Sequence, residues 1–256
     1  MIQTQNSPLQ RSATSLENKV VLISGASQGL GLALAEQMAS AGSRLALLSR
    51  REEALQAVQD SLIQSGVSSD RIAYYPVDVS EAGVVQDTIT SVIKHLGQID
   101  ILINNAALCG PFQLFQEHRV EDISYQIDVN LKGPMYLIHA VLPHMIAQGQ
   151  GDIININSIA GKQIYPYCSV YGATKFALDA LTRCVSEEQR ANNIRVVGIY
   201  PGRIDTPIWN GIEPHTPQDP EKMLSVTDVA NAVLYALQQP REVEIRELLL
   251  APSSCD

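Results

Sequence analysis

Tyr171 and Lys175 are four residues apart and could together carry out proton transfer. On a helix, side chains at this spacing lie on the same face. A phenol has an unperturbed pKa of about 10, and a neighbouring ammonium stabilises the phenolate and lowers that pKa. A Tyr-x-x-x-Lys pair is common by chance, however, and usually marks only an exposed helical face. The pair indicates an active site only together with further residues.

Two polar residues upstream complete a possible catalytic set. Ser158 follows the predicted strand at residues 152–157 and precedes Tyr171 by thirteen residues. Its hydroxyl can bind a substrate oxygen and orient it. Asn130 lies inside a predicted helix beside apolar neighbours such as Leu131. Asn130 could be a surface residue, but an amide among buried side chains needs partners.

A glycine-rich turn, SGASQGLG, covers Ser24–Gly31 between a predicted strand and a predicted helix. Glycine clusters are usually only turns. Here one glycine permits the tight turn, one lets the backbone approach a pyrophosphate, and one lets the helix pack on the strand. The helix N-terminus offers free N–H groups to the phosphates. The predicted nucleotide contacts in this turn are Gly25, Ser27, Gln28, Gly29, Leu30 and Gly31.

These residues are positioned by alternating short apolar runs and longer amphipathic ones, which indicate a parallel sheet flanked by helices. We predict strands at 19–24, 44–49, 71–76, 99–104, 152–157, 194–200 and 247–251, and helices at 30–41, 52–65, 82–96, 120–145, 167–191 and 225–239. The pattern predicts one α/β domain over residues 19–256, a doubly wound (Rossmann) sheet of about seven strands. Residues 1–18 are predicted to form a mobile tail, and residues 201–224 a mobile substrate loop.

Composition excludes several other classes of function. The formal net charge of -9 opposes nucleic-acid binding. No apolar run is long enough for a membrane span, and the N-terminus lacks the layout of a secretion signal. The four cysteines form no Cys-x-x-Cys pair, which favours free thiols in a reducing, cytoplasmic compartment. No metal site is predicted.

The spacing and order of the motifs resemble the short-chain dehydrogenase/reductase family. The turn has the form Gly-x-x-x-Gly-x-Gly, and the remaining motifs follow in family order: Asn104–Ala107, Asn130, Ser158, Tyr171–Lys175 and Pro201–Thr206. Together they span about Val20 to Thr206, and the joint match is far more specific than any single piece. The resemblance implies a nicotinamide nucleotide cofactor and a tyrosine that acts as general acid or base.

The resemblance also implies roles for individual residues. It places Asp78 and Val79 at the adenine ring, Asn105 and Ala106 on the cofactor, and Pro201, Gly202, Ile204 and Thr206 against the nicotinamide and phosphates. Tyr171 and Lys175 also contact the cofactor, and Asn130 holds a water that links Lys175 to solvent. From its position alone, Asp78 could equally cap the next helix. Ala107 replaces the family glycine, which is tolerated at negative φ.

The second predicted strand ends at Ser49-Arg50, where an NAD enzyme would place a carboxylate against the ribose 2′-OH. Ser49 can donate a hydrogen bond, and Arg50 can pair with a 2′-phosphate. The alternative is a solvated arginine pair, Arg50 and Arg51, facing Glu52 and Glu53. We favour NADP(H), in agreement with the family's NADP-preferring members.

The predicted reaction is reduction of a ketone or 3-oxoacyl carbonyl to the secondary alcohol, or its reverse, with Lys175 lowering the Tyr171 pKa. The candidate substrate walls are mainly apolar and aromatic: residues 164–168, residues 109–112 and Trp209. One alternative is an NADP-binding sensor that does no chemistry. Another is a sugar-nucleotide epimerase, but about fifty residues after Thr206 leave no room for its larger C-terminal domain. By family analogy the chain forms a homodimer or homotetramer.

Overall fold

The sheet has seven strands, all parallel, in the spatial order β3-β2-β1-β4-β5-β6-β7. The structure is a computed structural model that describes residues 14–209 and 219–253. The strands are β1 Val20–Ser24, β2 Arg44–Ser49, β3 Ile72–Pro76, β4 Ile101–Asn104, β5 Gly151–Ile156, β6 Ile194–Pro201 and β7 Glu247–Leu250. The predicted doubly wound sheet of about seven strands is confirmed.

Helices cover both faces of this sheet. They are α1 Gly29–Ser40, α2 Glu52–Gln64, α3 Ala82–Leu96, α4 Val120–Ile127, α5 Gly133–Gln148, α6 Ser169–Gln189 and α7 Val226–Gln238. Because strand side chains alternate, Val21 and Ile23 pack with α1, α2 and α7, whereas Val20 and Leu22 pack with α3, α5 and α6. Each fully buried Val, Leu or Ile stabilises the fold by about 1.5–3 kcal/mol.

The strand order reverses at β1, which pairs with β2 on one side and β4 on the other. The connections after these two strands run to opposite faces of the sheet. A crevice therefore opens beyond the carboxyl ends of β1 and β4, where open α/β sheets bind their ligands.

The helical stretch from Val120 to Gln148 contains a wider, π-helical turn at Asp128–Lys132 that the sequence analysis did not predict. The Gly133 N–H donates to the carbonyl of Asp128, five residues back. The α-helical donor to the Asn130 carbonyl would be Pro134, which has no N–H. The Asn130 carbonyl therefore has no α-helical donor, and π-turns are frequent at functional sites.

Helix α6 begins at Ser169 rather than at the predicted Tyr167. Tyr167 has φ of 67°, in the left-handed region. A residue in that conformation cannot continue a right-handed helix, so the preceding segment enters α6 as a loop.

The N-terminal boundary also differs from the prediction. Thr14 donates its N–H to Gln238, Asn18 donates its N–H to Gly42, and Leu16 is buried against α1 and α7. Residues 14–18 therefore pack on the domain instead of belonging to a mobile tail. The rest of the predicted tail, residues 1–13, lies outside the described residues.

The predicted substrate loop is partly ordered into short turns. β6 continues through Pro201, single 3₁₀ turns occupy Pro207–Trp209 and Pro220–Lys222, and Ile204 pairs with Leu224. Residues 210–218 of the loop lie outside the described residues. No helix in the described ranges is long and apolar enough to cross a bilayer.

Candidate active site

The glycine turn holds two residues in the left-handed conformation, Gly25 at φ +68° and Gly29 at φ +54°. A Cβ on Gly25 would lie 2.8 Å from the Cα of Ala106, and one on Gly31 would lie 2.0 Å from the Gly25 carbonyl oxygen. Larger side chains therefore do not fit here. Helix α1 has no acidic residue in its first turn, and its N-cap residue Gln28 makes no side-chain capping bond. The first-turn N–H groups and the helix dipole are thus left for an anion.

A cavity of about 730 Å³ occupies the crevice at the carboxyl ends of the strands. This volume lies within the range of roughly 300–1,000 Å³ that small-molecule and cofactor sites occupy. The structure brings together on its lining Ser158 and all the predicted cofactor contacts: Gly25, Ser27, Gln28, Gly29, Leu30, Gly31, Ser49, Arg50, Asp78, Val79, Asn105, Ala106, Tyr171, Lys175, Pro201, Gly202, Ile204 and Thr206. Of the predicted site residues, Asn130 alone does not line it.

Ser158, Tyr171 and Lys175 meet where β5 ends beside α6. The Lys175 Nζ lies 5.5 Å from the centroid of the Tyr171 ring and donates to the Ile156 carbonyl at 3.0 Å. The Ser158 Oγ accepts from the Ala160 N–H at 3.1 Å, which orients the hydroxyl and leaves its proton to donate elsewhere. Hydroxyl, phenol and ammonium therefore converge on one part of the cavity.

Burial sets the protonation states of this cluster. Burial raises the pKa of Tyr171, and a hydrogen bond with Ser158 offsets part of that rise. Burial lowers the pKa of Lys175 to about 8. The expected lowering of the Tyr171 pKa by Lys175 is therefore not seen, because desolvation of the phenolate is the larger effect. At neutral pH Tyr171 keeps its proton, as a general acid must.

Asn130 stands behind the cavity wall, in the π-helical turn, and is 1% exposed. Its Oδ1 accepts from the Leu108 N–H at 2.7 Å, and its Nδ2 donates to the Leu108 carbonyl at 2.8 Å. The same amide lies 3.3 Å from the Thr174 Oγ1, on the helix that carries Tyr171. The amide thus joins the loop after β4 to α6, and the surface alternative for Asn130 is wrong.

Asn157 is a positioning residue that the sequence analysis did not single out. It is 3% exposed, its Oδ1 accepts from the Ser158 N–H at 2.9 Å, and its Nδ2 donates to the Lys175 carbonyl at 3.1 Å. One side chain therefore fixes the serine relative to the turn of α6 that carries the lysine. The signal in the sequence was an amide in a strand whose neighbours are buried, where an amide needs partners.

At the far end of the cavity, Ser49 and Arg50 are joined by Arg51, which the prediction gave no role in binding. The Arg50 guanidinium hydrogen-bonds the Tyr125 hydroxyl, and Arg51 donates to the Gln28 side chain at 2.8 Å. Among the described residues, neither arginine forms an ion pair with Glu52 or Glu53, the acidic residues that would face a solvated arginine pair. Both cations therefore stand beside the cavity, one of them against the glycine turn.

Asp78 holds the turn that precedes α3. Its Oδ1 accepts from the N–H and the hydroxyl of Ser80 at 3.0 and 2.7 Å. Burial on its own would raise the pKa of Asp78, but these hydrogen bonds and the charge of Arg50 outweigh burial and lower it. The carboxylate stays ionised and shapes the adjoining wall.

The segment after β6 closes against the glycine turn. A Cβ built on Gly29 would lie 3.3 Å from the Thr206 Cβ, and the Gly202 N–H donates to the Leu250 carbonyl at 2.7 Å. Ala107, which also lines the cavity, is not among the three described non-glycine residues with positive φ. Its methyl group is therefore accommodated without backbone strain.

The substrate end of the cavity is formed by thiols and aromatic rings. Of the candidate walls, Cys109, Phe112, Tyr165, Pro166, Tyr167, Cys168 and Trp209 line it. Ile164 does not, and it is 82% exposed. Burial raises the pKa of Cys109 to about 12 and that of Cys168 to about 11, so both thiols are neutral at pH 7. No group of three potential metal ligands occurs in the part of the chain that is described.

Comparison with known proteins gives consistent results. The family model described as short chain dehydrogenase matches residues 19–217. An uncharacterized oxidoreductase of Staphylococcus saprophyticus is 36% identical over 241 residues, which cover 93% of this chain and 98% of that protein.

Two solved structures share both fold and sequence. An alcohol dehydrogenase from the archaeon Thermococcus sibiricus, complexed with 5-hydroxy-NADP, has a TM-score of 0.84 and 32% identity, with 94% of this chain and 99% of that chain covered. A metagenomic short-chain oxidoreductase in complex with NADP has a TM-score of 0.81 and 30% identity at the same coverage.

Proposed function

The chain belongs to the short-chain dehydrogenase family of oxidoreductases, and on that premise we propose that it reduces a ketone or 3-oxoacyl carbonyl to the secondary alcohol, or catalyses the reverse, with NADP(H). The observation that carries the proposal is the convergence of Ser158, Tyr171 and Lys175 on the cavity that also contains the glycine turn. A phenol that keeps its proton, a serine hydroxyl that can donate a hydrogen bond and a buried ammonium are the groups that carbonyl reduction needs.

The choice of NADP(H) is supported by the charges at the end of β2. Ser49, Arg50 and Arg51 line the cavity where a carboxylate would select NAD. A guanidinium pairs favourably with a phosphate dianion, and the uncapped N-terminus of α1 suits the pyrophosphate. Two of the similar solved structures are complexes with NADP and 5-hydroxy-NADP, whereas a xylitol dehydrogenase of similar fold is bound to NAD+.

In the proposed mechanism, the glycine turn of residues 25–31 and the segment of residues 201–206 would hold a reduced nicotinamide nucleotide, which would supply the hydride that the carbonyl carbon accepts. Ser158 donates a hydrogen bond to the carbonyl oxygen and holds it near the phenol. Tyr171 gives its proton to the oxygen as negative charge develops there. The Lys175 ammonium stabilises the resulting phenolate. Lys175 is protonated at pH 7 because its pKa of about 8 lies above that pH. In the oxidation of an alcohol, the same groups act in reverse order.

We assign Asn130 a positioning role in this mechanism. Its hydrogen bonds to Leu108 and Thr174 keep the cavity wall and α6 in register. The family resemblance implies in addition a water beside Asn130 that would link Lys175 to solvent.

We further propose that the chain functions in a reducing, cytoplasmic setting as a homodimer or homotetramer. The described cysteines Cys109, Cys168 and Cys184 are free thiols. Val120 on α4, Met135 on α5 and Phe176 on α6 are 72%, 38% and 37% exposed, and such apolar positions favour a partner. Light scattering of the purified protein tests the proposed oligomeric state.

The test of the proposed function is consumption of nucleotide by the purified protein in the presence of carbonyl compounds. The panel contains simple ketones and 3-oxoacyl thioesters, each with NADPH and with NADH, and a polyol with NADP+ and with NAD+. The product of each reaction is identified. We expect turnover with a ketone or a 3-oxoacyl thioester and a preference for NADPH. NADPH binding without turnover of any carbonyl would instead support the alternative of a non-catalytic sensor. A preference for NADH would overturn the cofactor assignment.

A further inference from the structure

The substrate end of the cavity holds an unusual share of the large aromatic rings of this chain. The sequence contains one tryptophan and three phenylalanines. The tryptophan and one phenylalanine line the cavity, and two tyrosines outside the catalytic set join them. We call this group the aromatic wall; it consists of Phe112, Tyr165, Tyr167 and Trp209.

Phe112 and Trp209 connect two different loops at the wall. Phe112 follows β4 and Trp209 follows β6, yet their ring centroids are 5.9 Å apart with planes 21° apart, a stacked contact. The Trp209 Nε1–H donates to the Ile204 carbonyl at 2.8 Å, which satisfies the indole and fixes the ring. The indole is therefore oriented before any substrate arrives.

Tyr167 adds to the wall through an unfavourable backbone conformation. Its φ of 67° is rare for a bulky side chain and persists only where the surroundings impose it. The Gln113 N–H donates to the Tyr167 carbonyl at 3.1 Å and so ties Tyr167 to the residue that follows Phe112. Strained residues of this kind cluster at ligand sites, and here the strain sets the ring beside the Phe112 loop.

The wall offers a ligand ring faces and no charge. Phe112 and Trp209 carry no ionisable group, and the adjoining thiols Cys109 and Cys168 are neutral at pH 7 because burial raises their pKa values to about 12 and 11. The cations that line the cavity are Arg50 and Arg51 at the end of β2, Lys175 in the catalytic cluster and Arg203 after β6, and none of them belongs to the wall. Aromatic rings prefer one another in offset or edge-to-face contact, beyond what their buried area explains. A saturated ring of the same size gains only the area.

We propose that the carbonyl substrate bears an aryl group that lies against the aromatic wall, and that Tyr167 and Trp209 determine this preference. The inference rests on the proposed reductase function. It narrows the substrate class from ketones in general to aryl ketones. The carbonyl then lies toward Ser158 and Tyr171.

The experiment compares acetophenone with cyclohexyl methyl ketone, which share one carbon skeleton. The acetophenone carbonyl is conjugated with its ring and less electrophilic, so the test lies in how the wall variants change the ratio of the two rates. We expect the wild type with NADPH to prefer the aryl ketone in kcat/KM by roughly tenfold, and Trp209→Leu and Tyr167→Leu each to reduce that ratio by roughly threefold to tenfold. Tyr167→Phe should keep the wild-type ratio, because it keeps the aromatic ring at this position. Tyr235→Leu, on the exposed face of α7, leaves the ratio unchanged.

A binding measurement separates this inference from the proposed function. Trp209 is the only tryptophan in the sequence, so its fluorescence reports on the wall without any need for turnover. Tighter quenching by acetophenone than by cyclohexyl methyl ketone supports aryl recognition. If neither ketone is reduced but acetophenone quenches more tightly, the reductase function fails while aryl recognition stands. Equal kcat/KM and equal quenching overturn the inference, and so does a preference that survives both leucine variants in folded protein.

Discussion

Replacing Asn157 by alanine tests whether one buried amide sets the geometry of the catalytic residues. The substitution removes the acceptor for the Ser158 N–H and the donor to the Lys175 carbonyl. It leaves Ser158, Tyr171 and Lys175 chemically intact. Any loss of rate must therefore come from their relative position.

The magnitude follows from the two hydrogen bonds. Asn157 is 3% exposed, so water does not readily replace its amide. An unpaired buried N–H on Ser158 costs about 1–3 kcal/mol. The Lys175 carbonyl lies inside α6 and keeps its helical donor, so the second loss costs about 0.5–1.5 kcal/mol. We expect the free energy of unfolding to fall by about 2–4 kcal/mol in total.

The effect on rate comes from the displaced hydroxyl. A misplacement of about 1 Å in a catalytic group can cost on the order of a hundredfold in rate. We therefore expect kcat to fall by roughly tenfold to a hundredfold, measured by steady-state NADPH oxidation below the melting temperature of the variant. KM for NADPH should change little, because Asn157 does not touch the glycine turn or the arginines.

Asn155→Ala is the matched control. Asn155 is fully buried on β5, two residues before Asn157, and its amide bonds Asn104 at 2.8 Å and Thr182 at 2.9 Å instead of the catalytic residues. We expect a similar loss of stability with at least about fivefold less loss of kcat, since those partners carry no chemistry. Equal losses of kcat in the two variants would show that Asn157 acts only through general stability.

Three other predictions concern the nucleotide, a buried charge and a glycine. Arg50→Ala should weaken NADPH binding by roughly 10- to 100-fold, which corresponds to the loss of a charge-assisted hydrogen bond of about 1.5–3 kcal/mol. The affinity for NADH should stay within about twofold of wild type. Equal weakening of both nucleotides would contradict the assignment of Arg50 to the 2′-phosphate. Burial lowers the Lys175 pKa from 10.5 to about 8, so between pH 8 and 10.5 the folded wild type binds fewer protons than the unfolded chain. The free energy of unfolding of the wild type, relative to that of Lys175→Met, should therefore rise by roughly 3 kcal/mol from pH 8 to 10.5. A fall over this range would contradict the lowered pKa of Lys175. Gly31→Ala should lower the free energy of unfolding by about 1–3 kcal/mol and weaken nucleotide binding, because the new Cβ would meet the Gly25 carbonyl. The control is Gly83→Ala in α3, where a Cβ meets nothing within 4 Å. This variant should raise the free energy of unfolding by about 0.5–1 kcal/mol.

The features that could be predicted from the sequence are those encoded by local spacing. Tyr171 and Lys175 share a helix face because residues four apart do so on any helix. The glycine turn from Gly25 to Gly31 connects a strand to the helix that follows it, so residues close together in the sequence define it. The parallel sheet followed from alternating apolar runs. Such patterns need no knowledge of distant contacts.

The features that were missed depend on contacts between distant segments. The positioning role of Asn157 depends on its hydrogen bond to the carbonyl of Lys175, which lies eighteen residues later in the chain. The residues next to Asn157 in the sequence do not indicate this contact. The left-handed backbone of Tyr167 depends on a loop more than fifty residues earlier, and nothing in its own neighbourhood in the sequence indicates it. The π-helical turn at Asp128–Lys132 was also missed, since the apolar pattern predicted one continuous helix over residues 120–145. The raised pKa of Tyr171 reflects burial, which spacing does not reveal.

Tyr171→Phe tests the central claim most directly. The variant keeps the ring and its packing and loses only the hydroxyl that donates the proton. Two quantities are measured on the same preparation: the dissociation constant of NADPH and the rate of carbonyl reduction at saturating NADPH. The mechanism predicts an NADPH affinity within about threefold of wild type, together with a rate lower by roughly 10²- to 10⁴-fold, the range for loss of a general acid. Near-normal turnover in Tyr171→Phe would contradict the assignment of Tyr171 as the proton donor.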